Sequence, residues 1–92
     1  MMTSEHVRAA LSDINPDAVF FDNLDSALIG IGNVAHLEPV PVYSKKRIFD
    51  KLFADGFSKE ESVEYFLNKV VTVFVEHNTP IIFDDMYDRN EE

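Results

Sequence analysis

Apolar positions mark out the elements of this chain before anything else does. Val7, Ala10, Leu11 and Ile14 follow the i, i+3, i+4, i+7 spacing of one helical face. Thr3 or Ser4 can cap that helix, and Pro16 forces its end by pushing Asn15 out of the α region. Residues 18–21, Ala-Val-Phe-Phe, predict a short strand followed by a polar turn at 22–25. Residues 27–32 predict a firmer strand, closed by the turn signal Gly32-Asn33. A loop runs through His36 to Pro39. Residues 40–43 then predict a strand that Pro41 makes an edge or limits to its last residues.

Ser44 is a good N-cap for a helix over 45–54, with Ile48, Phe49, Leu52 and Phe53 as its buried stripe. Asp55-Gly56 stops it, since glycine supplies the left-handed residue at a helix C-terminus. Ser58 and Glu61 match the capping box S-x-x-E. The third helix is expected to run to about residue 78. Val63, Phe66, Leu67, Val70, Val71 and Phe74 form its stripe, which Val73 and Val75 widen, so it is read as central and covered on more than one side. Residues 80–83 predict a last strand.

This order gives an α+β fold: a small antiparallel or mixed sheet of two to four strands with three helices packed on one face. Ninety-two residues make one domain, placed at 1–86, with an acidic, fraying tail at 87–92. The 46% hydrophobic content and eight Phe argue against disorder. With no cysteine, disulfide scaffolds, zinc ribbons, iron–sulfur clusters and thiol nucleophiles are excluded together. Residues 1–10 carry no apolar run of a signal peptide, and the longest apolar stretch, 70–75, is too short to span a bilayer. A cytoplasmic protein with no membrane partner is the expectation.

Charge changes the picture more than composition does. The 17 acids and 8 bases leave a formal net charge of −9. Residues 1–43 hold six acids and one base, residues 44–59 five bases and two acids, and residues 60–92 nine acids and two bases. An acidic domain with one basic cluster, Lys45, Lys46, Arg47 and Lys51, suits contact with another macromolecule more than a pocket built for chemistry. Nucleic-acid domains present a net basic surface, so the cluster is read as pairing with Asp or Glu, within the chain or across an interface, and no direct nucleic-acid contact is expected.

The candidate chemistries are thin. Gly30-Ile31-Gly32-Asn33-Val34-Ala35 spells G-x-G-x-x-A after a strand, but Pro39 and Pro41 leave no room for the helix a dinucleotide fold needs there. Asp55-Gly56 lacks a calcium loop, because the first ligand position falls on Lys51. His6, His36 and His77 have no metal-ligand spacing, and no Ser/His/Asp arrangement is recognisable. No catalytic residue, metal or cofactor is expected. Mimicry of a nucleic acid is limited by magnitude. Duplex DNA as long as a globule of this size, about 32 Å across, carries roughly 18 phosphates. The 17 acids here are spread over all faces.

The segments DSALIGIG (25–32), PVYSKKRIFDKL (41–52), DGFSKEESVEYFLNKVV (55–71) and TPIIFDDM (79–86) together resemble short accessory proteins encoded by tailed phages and prophages. The resemblance covers about residues 22–86 and brings no catalytic residues with it. It implies a small acidic protein of the host cytosol, in a setting that includes anti-CRISPR and anti-restriction inhibitors. The functional expectation is a non-enzymatic protein that inhibits a host nucleic-acid-binding defence complex. Its acidic surface, Glu60, Glu61, Glu64, Asp84, Asp85 and Asp88, would meet a basic groove on a host protein. The alternative is a homo-oligomeric structural or binding module, with Phe20, Phe21, Tyr43, Phe57 or Tyr65 completing an apolar interface.

Overall fold

The computed structural model describes residues 3–86. The expected tail at 87–92 and the candidate Asp88 lie outside the described residues. The fold is α+β, a mixed three-stranded sheet with three helices.

Helix α1 (Ser4–Ile14) begins where the Thr3 hydroxyl accepts the His6 N–H. It ends before Pro16, where Asn15 returns its own N–H to the Leu11 carbonyl. Its Val7 and Leu11 are fully buried, but Ile14, at the last turn, is half exposed. Residues 18–21 form no strand. The Phe21 N–H instead donates to the buried Tyr43 hydroxyl at 2.9 Å, with the two rings edge to face at 4.9 Å. A side chain has taken the place of a ladder partner.

A single 3-10 turn (Asp25–Ala27) leads into strand β1 (Leu28–Gly32), which pairs antiparallel with β2 (Val40–Ser44). Strand β3 (Ile81–Phe83) lies parallel to β2 on its other side, so the order is β1-β2-β3. Pro41 therefore stands in the central strand, not at an edge. It is tolerated because β3 pairs only with Val42, Tyr43 and Ser44, the last residues of β2, so the missing N–H is not asked to join that ladder. Gly32 is required by packing: a Cβ there would fall 2.6 Å from Ile81 Cδ1 and 2.9 Å from Val42 Cγ2.

Parallel strands need a long crossover, and two helices supply it. Helix α2 (Lys45–Ala54) starts on β2's last residue, Ser44, whose hydroxyl accepts the Arg47 N–H. Ile48, Phe49 and Leu52 are buried, while Phe53 is half exposed, and Gly56 at φ 97° turns the chain out of the helix. Helix α3 (Lys59–Tyr65) carries the capping box in full: Ser58 accepts the Glu61 N–H and Glu61 accepts the Ser58 N–H.

α3 does not reach residue 78. It widens into a π turn (Phe66–Val70), where the Val71 N–H donates to the Phe66 carbonyl, and then stops. The physical reason lies in Val70, Val71, Thr72, Val73 and Val75: β-branched side chains crowd the preceding turn and weaken a helix. The chain must also reverse to lay β3 beside β2. It does so through a turn with Glu76 at φ 51°, held by Thr79, whose Oγ1 accepts the Val75 N–H and donates to the Glu76 carbonyl.

One core joins all three helices to the sheet. Val7 and Leu11 of α1 meet Leu28, Tyr43, the α2 stripe, and Phe66 and Val70 of the π turn. Phe49 and Phe66 pack at 5.2 Å between ring centres, the main aromatic tie between the two crossover helices. Buried Asn15 links three loops, donating to the Pro39 carbonyl and Asn78 Oδ1 and accepting the Asp17 N–H.

Candidate functional site

The five described acids proposed for a contact surface divide into groups with different local roles. Asp84 and Asp85 follow β3 directly, and the parallel pairing of Ser44 with Phe83 brings them to the start of α2. There Asp85 accepts from the Ser44 hydroxyl and from the Lys46 N–H at 2.9 Å. Asp84 lies 3.5 Å from the Lys45 ammonium. A helix start offers unsatisfied N–H groups and positive potential, and these two carboxylates occupy it. Partial desolvation alone would raise the Asp85 pKa. The hydrogen bonds from Ser44 and Lys46 outweigh it and hold the carboxyl below its ordinary value.

The basic cluster is consumed in the same way. Lys45 pairs with Asp84, Lys46 with Asp50 at 3.1 Å, and Lys51 with Asp55 at 2.7 Å. The Lys51 hydrogen bond is the main reason the Asp55 carboxyl is held low. Arg47 alone of the four makes no ion pair among the described residues. The expected pairing of this cluster with acids is thus found inside the chain.

α3 is different. Glu61 is committed to the capping box, but Glu60 and Glu64 are exposed and make no ion pair among the described residues. Beside them lie apolar side chains expected to be core. Only Phe66 and Val70 of that stripe are buried. Val63, Leu67 and Val71 are about half exposed, and Phe74 is 78% exposed. The expected central helix is therefore a peripheral one. α1 packs on β1 and β2 and α2 on β2, whereas α3 packs on α2 and leaves its outer face to solvent.

Two open depressions flank this helix. One, of about 450 Å³, is lined by Gly56, Phe57, Glu61, Glu64, Tyr65 and Lys69 among others. The second, of about 640 Å³, runs along the outer face past Ser58, Lys59, Glu60, Val63, Glu64 and Leu67. Sequence reasoning placed Glu60 and Glu64 on the surface but missed Val63, Leu67, Val71 and Phe74. Their only signal was the β-branched run from Val70 that shortens the helix.

Of the residues weighed for a self-association interface, Phe21 and Tyr43 are core and cannot reach a partner, while Phe20, Phe57 and Tyr65 are half-buried. Arg8 sits over the Phe20 ring at 4.3 Å, anchored by Asp25 at 2.7 Å. Among the described residues, no three His, Asp or Glu side chains come together to hold a metal ion. His36 lies in the loop between β1 and β2, and His77 in the turn before β3, well past the helix expected to end there. The Gly30–Ala35 motif leads from β1 into a turn, not into a helix.

No protein-family model, no curated protein and no solved structure matches this chain. No helix among the described residues is long and apolar enough to cross a membrane.

Proposed function

We propose that this protein works without catalysis, by contact with another protein through the acidic, partly apolar outer side of α3. The observation that carries the reading is the unequal use of charge. Lys45, Lys46 and Lys51 of α2 are paired by Asp84, Asp50 and Asp55, and Asp85 caps the helix, whereas Glu60 and Glu64 make no ion pair among the described residues and stand beside uncovered apolar side chains. With a net charge of −9 behind them, these acids attract a basic partner and speed its encounter, most strongly at low salt. The resemblance to phage accessory proteins supports a host protein with a basic groove as the target, including a nucleic-acid-binding defence complex, and a cytoplasmic site of action.

The test is affinity capture of the tagged protein in bacterial lysate at low and high salt, read by mass spectrometry. The Glu60→Lys/Glu64→Lys variant is compared with a charge-matched Asp13→Lys/Asp17→Lys control. One stoichiometric basic protein, lost at high salt and in the first variant only, supports the reading. Equal capture by both variants, or self-association alone, overturns it.

A further inference from the structure

We infer that the outer face of α3 docks one amphipathic basic helix of a partner protein, an inference that rests on the acidic-contact reading above and specifies its occupant. Val63 in α3, Leu67 in the π turn and Val71 just past it recur four residues apart and are each about half exposed, an apolar run of the kind that an amphipathic helix covers. Glu60 and Glu64, each three residues before Val63 and Leu67 respectively, border this run, with Lys59 at its start. The depression of about 640 Å³ that contains Glu60, Val63, Glu64 and Leu67 gives a facing helix a seat.

Charge and area select this occupant over others. From Val63 to Val71 the run is about 12 Å long, far too small a face for the ~800 Å² per partner of a stable pair of globules. A single helix fits it. A second copy would bring a charge of −9 to each side of the contact. Nucleic acid and an anionic membrane surface would meet the same repulsion. A helix with Leu, Ile or Phe on one face and Lys or Arg at its margins satisfies both the run and its acids.

The test uses the full chain with methyl-labelled Val and Leu, followed by NMR. The probe is a synthetic Leu/Lys peptide about five helical turns long, and the control is its isomer scrambled to have no apolar face. Saturable shifts are expected at the Val63, Leu67 and Val71 methyls. The amphipathic isomer should bind about tenfold more tightly or better, a difference worth ~1.4 kcal/mol. Leu67→Ala and Glu60→Gln/Glu64→Gln should each weaken it severalfold. Equal affinity for the two isomers overturns the helix-docking inference and leaves the acidic-contact reading standing. Binding of neither isomer at low salt overturns both. Concentration-dependent shifts of the same methyls without peptide identify a second copy as the occupant and overturn the inference.

Discussion

Helices α2 and α3 both start at a serine N-cap and both carry apolar residues at helical spacing, yet they end in different surroundings. In α2, Ile48, Phe49 and Leu52 are buried, and the three lysines around them are paired by Asp84, Asp50 and Asp55. Along α3 and its π turn, Phe66 and Val70 are buried while Val63, Leu67 and Val71 remain exposed beside Glu60 and Glu64, which make no ion pair among the described residues. The difference is positional. α2 grows directly out of the central strand and packs on it, whereas α3 packs on α2. A stripe of the right spacing is a licence to be buried, and burial follows only where an uncovered surface remains to receive it.

The comparison breaks if truncating the two stripes costs the same. Leu52→Ala removes a core side chain and should destabilise by about 2–5 kcal/mol. Leu67→Ala, at 52% exposure, should stay within about 0.5 kcal/mol. Denaturant titration of both variants decides. Equal losses would mean that α3 is covered after all.

The two N-caps offer a finer contrast. Ser58→Ala removes one arm of a local capping box and should cost about 1 kcal/mol. Ser44→Ala removes both the cap to Arg47 and the donor to Asp85, so its cost should be larger, about 2 kcal/mol. A thermal melt showing the two equal would mean that Asp85 contributes nothing to α2.

Acid unfolding tests the same tie. The folded-state pKa of Asp85 lies below its ordinary value of 3.8. Its contribution is therefore fully present above 3.8 and is lost as the pH falls from there through the folded value. Asp85→Asn should flatten that part of the acid limb in a circular-dichroism titration, and an unchanged limb would exclude Asp85 from the linkage. The smallest effect is expected at the open acids. Glu60→Gln/Glu64→Gln should change stability by no more than about 0.5 kcal/mol, and a larger loss in a urea titration would mean that these acids hold the fold.

How much was legible follows the range of the interactions. The start of α1, both serine caps, the glycine stop at Gly56 and the strands at 28–32 and 81–83 stood in the sequence, because each depends on a few neighbouring residues. Residues 18–21 misled: their apolar run suggested a strand, but the Phe21 N–H found the Tyr43 hydroxyl, 22 residues away. Asp85 was expected on a partner-facing acidic surface, but the parallel pairing of Ser44 with Phe83 carries it to the start of α2. The exposed run was read as core because spacing records which residues share a face, not what lies opposite it.

By itself, then, the sequence determined the starts of the three helices and their caps, the strands at 28–32, 40–44 and 81–83, the acidic balance and the absence of cysteine chemistry, since these rest on local conformational preference and on simple counts. Only the tertiary structure decided that Pro41 stands in the central strand, that the three lysines of the basic cluster are paired from within, and that α3 keeps an open apolar side flanked by two carboxylates with no ion pair among the described residues. Each of those depends on which distant segment packs against a given surface. Local propensity does not encode that competition; packing and charge pairing resolve it when the chain closes on itself.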